Sequence, residues 1–110
     1  MLFRSAIGTV PYMAPEQLLD ARRVNEASDV YSVATILYRS VAGALPFDTR
    51  ESLREKLQQE ARPLSTGRQD AAGTSFERII TKALRRRPAE RFANAREMLD
   101  ELTALVTAAP

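Results

Sequence analysis

The stretch SDVYSVATILYRSVAG, residues 28–43, decides the fold. Its apolar residues are Val30, Tyr31, Val33, Ala34, Ile36, Leu37, Tyr38 and Val41. Wound into a helix, they leave hardly any polar face, and a helix that is apolar on every side belongs in an interior. Ser28 suits the N-cap position, and Gly43 suits the left-handed position that ends a helix. The stretch therefore predicts the central core helix of the protein.

Shorter helical patterns lie on both sides of this core helix. Pro15 suits the first position of a helix, and Glu16 suits its first turn. Capping-box patterns begin three further helices, at Asp48, Thr74 and Asn94. The helix after the first of these has only Leu53 and Leu57 as an apolar edge, so we expect it on the surface. No strand pattern competes, and the sequence predicts an all-α fold of about five helices around one buried central helix.

The composition is that of an ordinary globular chain. Of 110 residues, 45% are apolar and 27% are charged, and the net charge of +2 calls for no nucleic-acid partner. The absence of cysteine and histidine excludes disulfides and thiolate metal sites and removes the commonest general base. No apolar run is long enough to span a membrane, and no signal-peptide pattern is present. We therefore expect a cytoplasmic protein with no membrane contact and no metal site.

The residues carry no self-sufficient catalytic motif. A glycine-rich phosphate loop, an H-E-x-x-H zinc motif and a nucleophile elbow are all missing from the sequence. A serine or threonine hydroxyl without a base beside it is a poor nucleophile. We therefore expect these residues alone to form no enzyme of a common type.

Four motifs together resemble one family. They are GTVPYMAPE at 8–16, SDVYSVATILY at 28–38, GALPF at 43–47 and RRPAERF at 86–92. In this order and spacing they resemble the eukaryotic-like serine/threonine protein kinases, most closely the bacterial branch. The resemblance implies the lower part of the C-terminal lobe of a kinase domain. It divides the chain into an activation-segment remnant with a substrate-side loop (1–13), a helical lower lobe (14–107) and a tail (108–110).

The resemblance also implies which parts of a kinase these residues lack. The family's G-x-G-x-x-G loop, V-A-I-K lysine, H-R-D catalytic loop and D-F-G metal ligand do not occur in the sequence. In the intact family these groups position ATP and Mg²⁺ for transfer of a phosphoryl group to a serine or threonine of a protein. We therefore expect this chain to bind no cofactor and to be inactive alone.

The resemblance assigns substrate-side roles near the N-terminus. Gly8 and Thr9 are expected to contact the peptide next to its phosphoacceptor, and a threonine there fits serine/threonine substrates. Thr9 alternatively caps a local turn. Tyr12 either packs under the peptide groove or is a core aromatic residue. Ser5 falls in the activation segment and is a candidate phosphorylation site, or else a solvated serine.

The resemblance assigns structural roles as well. Glu16 and Arg91 resemble the family's ion pair, which joins the end of the activation segment to the loop before the last helix. The alternative is two solvated surface charges. Asp29 resembles the aspartate that braces the catalytic loop in intact kinases, although in this chain it can simply favour a helix N-terminus. Ala34 and Arg39 depart from the family pattern, which usually has glycine and an acidic residue there.

Two functions from other classes compete with a kinase fragment. One is a non-catalytic binding or regulatory module that docks a peptide or a partner kinase. The other is nucleic-acid binding through four basic residues, Arg85, Arg86, Arg87 and Arg91. Glu90 interrupts that cluster and no stacking aromatics alternate with it, so this function is disfavoured. The other helices have too few apolar residues to bury every side of the core helix, so we also expect exposed apolar surface. Through this surface the chain is expected to associate with a missing kinase lobe or with a second copy of itself.

Overall fold

The computed structural model describes residues 10–20, 22–23, 25–47 and 52–108. Its α-helices are Pro15–Leu19 (α1), Glu26–Ala42 (α2), Ser52–Gln58 (α3), Ala71–Ala83 (α4) and Ala95–Ala108 (α5). Short 3₁₀ turns at Val10–Tyr12 and Pro88–Glu90 precede α1 and α5. Every regular element in these ranges is helical, which confirms the predicted all-α fold.

Helix α2 begins about one turn earlier than the sequence predicts. Asn25 is its N-cap, and the side-chain oxygen of Asn25 accepts a hydrogen bond from the backbone N–H of Ser28 at 2.9 Å. Asparagine and serine are equally good N-caps, so local sequence does not distinguish the two positions. At the other end, Gly43 has a φ of 77°, in the left-handed region, and ends the helix as predicted.

The N-cap predicted from the sequence is wrong for α4 and is confirmed for α5. The prediction that Thr74 begins α4 is wrong, because Asp70 caps this helix and accepts from the N–H of Gly73 at 2.9 Å. In α5, the side chain of Asn94 accepts from the N–H of Glu97 at 2.9 Å, as a capping pattern requires. The sequence between residues 70 and 74 thus offers two caps, and the earlier one begins the helix.

The core forms around α2. This helix packs against α4 and α5 and against both 3₁₀ turns, while α1 packs against α3. The buried apolar side chains are Ala14, Val30, Tyr31, Ala34, Tyr38, Leu64, Ile79, Ile80, Ala83, Leu84, Phe92 and Met98. They include residues of α1's N-terminal flank and of the loop after α4, so the core joins both ends of the described chain.

Helices α2 and α5 both keep exposed apolar side chains. Ile36 of α2 is 54% exposed, and Leu99 and Val106 of α5 are 52% and 75% exposed. What contacts these side chains in a longer protein or an assembly stays a prediction. None of the described helices is both long enough and apolar enough to cross a membrane.

Candidate functional site

Arg91, in the loop between α4 and α5, is 5% exposed and uses all five of its N–H groups. Two of them donate to the two carboxylate oxygens of Glu16, each at 2.8 Å. The other three donate to backbone carbonyls, of Arg85 at 2.7 Å, Arg86 at 2.9 Å and Ala27 at 3.1 Å. Two residues that lie 75 positions apart in the sequence therefore meet in a bidentate contact inside the protein.

Glu16 lies in the first turn of α1, where the positive end of the helix dipole favours a carboxylate. It is 5% exposed, and the hydroxyl of Ser28 also donates to it, at 2.6 Å. Burial by itself raises the pKa of the Glu16 carboxyl, but the hydrogen bonds from Arg91 and Ser28 outweigh burial and hold the pKa below its ordinary value. The side chain is therefore ionised at neutral pH.

The lowered pKa of Glu16 predicts a loss of stability in acid. Below its ordinary value of 4.5, the unfolded chain takes up the proton before the folded chain does. The stabilisation by Glu16 is therefore present above that pH and disappears as the pH falls through the folded pKa. We expect the difference in unfolding free energy between the parent and Glu16→Gln to narrow between pH 7 and pH 3, measured by urea denaturation. A difference that stays constant with pH would contradict this prediction.

Tyr31 lies beside the ion pair in the core. Its ring centroid is 4.9 Å from the guanidinium carbon of Arg91 and 5.6 Å from the Nζ atom of Lys56, close enough for attraction between each cation and the ring electrons. The side chain is 1% exposed, and burial raises the pKa of its hydroxyl, which stays neutral. The ring thus joins the Glu16–Arg91 pair to a lysine on another helix.

Sequence reasoning missed Lys56. It lies on α3, which we predicted to be a surface element, yet it is 1% exposed. Its Nζ donates to the backbone carbonyls of Pro11 at 2.6 Å and Met13 at 2.9 Å, and burial lowers its pKa to about 8. A signal was available, because helical spacing places residue 56 on the same edge as the apolar Leu53 and Leu57.

The segment before α1 is held by side chains from three helices. Lys56 of α3 binds the carbonyls of Pro11 and Met13, and the hydroxyl of Ser32 on α2 donates to the carbonyl of Tyr12 at 2.8 Å. The side chain of Gln17 on α1 accepts from the N–H of Ala14 at 2.9 Å. Four consecutive residues, 11–14, are therefore fixed through their backbone.

Tyr12 lies half-buried at the surface of this segment. It lines a cavity of about 230 Å³ whose other lining residues are Ile36, Arg39, Ser40 and Gly43. Arg39, one of the two departures from the family pattern, is exposed beside it, whereas the other, Ala34, is fully buried in the core. The position of Tyr12 is compatible with either of the two roles proposed from the sequence.

Among the remaining predicted site residues, Asp29 is the one that the structure describes. Asp29 lies in the first turn of α2 and is exposed. Ser5, Gly8 and Thr9 lie outside the described residues, as does the capping pattern that begins at Asp48.

Two of the four arginines considered for nucleic-acid binding are engaged within the protein. Arg85 pairs with Glu90 at 2.9 Å, and Arg91 is buried against Glu16. Among the residues that the structure describes, no group of three or more acidic, histidine or cysteine side chains could hold a metal ion.

Comparison with known proteins supplies the family. Residues 2–102 match the family described as protein kinase domain. The serine/threonine-protein kinase PksC of Streptomyces coelicolor is 36% identical over 99 residues, which cover 86% of this chain and 17% of the relative. The kinase pkn3 of Myxococcus xanthus is 36% identical over 102 residues, 89% of this chain and 18% of the relative. PknL of Mycobacterium tuberculosis is 32% identical over 101 residues, 90% of this chain and 25% of the relative.

The chain therefore spans a quarter or less of the length of these three relatives. The family match nevertheless extends over nearly all of its residues, and the named relatives are bacterial serine/threonine kinases. The resemblance read from the four motifs is confirmed. This chain is part of a protein kinase domain and belongs to the protein kinase family.

Proposed function

We propose that these residues form the substrate-facing and structural part of a serine/threonine protein kinase. In this proposal Gly8, Thr9 and Tyr12 face the peptide that carries the serine or threonine. The ion pair of Glu16 with Arg91 holds the end of the same segment. The observation that carries the proposal is this network of contacts to residues 11–16. A segment fixed before its ligand arrives loses less conformational entropy on binding.

The chemical step belongs to groups outside these 110 residues. When bound, Mg²⁺ and ATP supply the phosphoryl group and neutralise the charge that develops on it. The residues of this chain orient the peptide so that its hydroxyl lies where transfer can occur, and orientation contributes much of the rate. Asp29, exposed at the start of α2, is available to brace the catalytic loop of an intact domain, and Ser5 is a candidate regulatory phosphorylation site.

The proposal predicts opposite results for phosphate transfer by the chain alone and by the chain within an intact kinase. The purified chain, given Mg²⁺, ATP and a library of peptides with a central serine or threonine, is expected to bind peptide but to transfer no phosphate. A chimera in which this chain replaces the matching segment of PksC is expected to phosphorylate the library. Radiolabelled ATP measures phosphate transfer by the chain and by the chimera, a fluorescently labelled peptide measures binding, and unaltered PksC gives the reference rate.

Each half of that experiment can contradict the proposal. Phosphate transfer by the purified chain alone would show that the expected inactivity is wrong. A folded chimera that binds ATP but phosphorylates no peptide would show that the segment is not a working substrate-side surface.

A second candidate function is a non-catalytic binding or regulatory module. The observation that favours it is the exposure of apolar side chains on α2 and α5, which include Ile36, Leu99 and Val106. Its partner would be a kinase lobe or a second copy of the chain. This candidate predicts that the chain binds a partner kinase while the PksC chimera stays inactive.

A further inference from the structure

The amine of Lys56 contacts the backbone of the segment before α1. Its single amine group donates to the carbonyls of Pro11 and Met13, which lie on either side of Tyr12. The carbonyl between them accepts from Ser32 of α2 at 2.8 Å. Three successive carbonyls are thus held by side chains of two other helices. The backbone at Tyr12 takes its position from those helices.

The two carbonyl contacts of Lys56 offset part of the cost of its burial. Placing a charged amine in an interior costs free energy, but an apolar side chain in its place would leave the carbonyls of Pro11 and Met13 without these donors. The lowered pKa, about 8, reflects that cost of burial. A neutral amine still has two N–H groups, so both carbonyl contacts can persist when the proton leaves. An apolar residue could not make either contact.

The geometry points to Lys56 as a positioning residue for the peptide substrate. By holding the carbonyls of Pro11 and Met13, it fixes the segment that carries Tyr12 in the shape that the peptide meets. This inference rests on the proposed function, because it assumes that this segment faces a serine- or threonine-containing peptide. In this inference a residue of α3 affects the affinity for the peptide. Helix α3 does not need to contact the peptide itself.

The test compares the two lysines of the chain. Lys56→Met removes the donors, whereas Lys82→Met makes the same change at an exposed lysine that lies 4.4 Å from the ring of Phe92. The probe is a fluorescein-labelled peptide selected from the serine/threonine library on the parent chain. We expect Lys56→Met to weaken binding by about tenfold or more, because small misplacements of a positioning element are costly. Lys82→Met is expected to bind as the parent does.

A chemical rescue separates positioning from simple packing. The chain contains no cysteine, so Lys56→Cys introduces a single thiol. Alkylation of that thiol with 2-bromoethylamine in the unfolded state restores an amine of nearly the same reach. After refolding, the aminoethylated variant is expected to recover most of the lost affinity, whereas alkylation with iodoethane should not. In the PksC chimera, the loss should appear in KM for the peptide more than in kcat.

The outcomes distinguish this inference from the proposed function. If the parent binds no peptide, both are overturned. If the parent binds and a folded Lys56→Met binds equally well, the role of Lys56 is overturned while the proposed function stands. If Lys56→Met does not fold, ¹³C NMR of labelled lysine side chains in the parent tests the role of Lys56 instead. A Lys56 signal that stays unchanged at saturating peptide would then overturn the inference, and a shift of Lys56 but not Lys82 would support it.

Discussion

Arg91→Ala is expected to lower the free energy of unfolding by about 3–5 kcal/mol. The substitution leaves the Glu16 carboxylate, 5% exposed, without its bidentate partner. It also removes the donor from three backbone carbonyls, those of Arg85, Arg86 and Ala27. Breaking one side of a buried ion pair costs more than the pair contributes, because the remaining charge stays in the interior.

Urea denaturation at pH 7, followed by circular dichroism, measures this effect. Arg87 is the matched control, since it is an exposed arginine in the same loop and its change to alanine should alter stability by about 0.5 kcal/mol or less. Replacing Glu16 and Arg91 together by leucine should recover part of the loss, because no charge is then left alone. An Arg91→Ala protein that unfolds at the same urea concentration as the parent would show that the pair contributes nothing to stability.

Tyr31→Ala is expected to cost a comparable amount, about 3–5 kcal/mol. The ring is 1% exposed and contacts cations from two other parts of the chain, Arg91 and Lys56. Its removal opens a cavity in the core and takes away the electrons that attract both cations. The loss should therefore exceed that of an ordinary exposed aromatic residue.

Tyr31→Phe separates the ring from the hydroxyl. It keeps the ring and both cation contacts, so we expect it to retain most of the stability that Tyr31→Ala loses. Thermal and urea denaturation of the two variants measure the comparison. Equal losses for Ala and Phe would show that the hydroxyl, rather than the ring, stabilises this part of the core.

Much of the fold could be predicted from the sequence, because the strongest patterns are local. The apolar residues of α2 have no polar face to expose, and Gly43 is suited to the left-handed conformation that ends a helix. The family could be predicted as well, because four motifs occur in one order and spacing. The division at residue 13 and the roles of Ser5, Gly8 and Thr9 stay predictions.

The features that sequence reasoning missed depend on contacts between distant residues. Ser28 is a good N-cap by its type, but its hydroxyl contacts Glu16 and the cap is Asn25. Lys56 is of a residue type usually found at the surface, and its buried amine donates to the carbonyls of Pro11 and Met13, more than 40 positions away. Local sequence patterns do not indicate which side chain, far away in the chain, will meet a given backbone carbonyl.

The 75-residue separation of Glu16 and Arg91 has a consequence for the order of folding. A contact between positions so far apart closes a long loop, and the entropy cost of that closure delays its formation until much of the intervening chain is in place. The segment before α1 is therefore expected to acquire its final shape late. Once formed, it cannot open without releasing the loop before α5, so these two parts of the chain are expected to unfold as one cooperative unit.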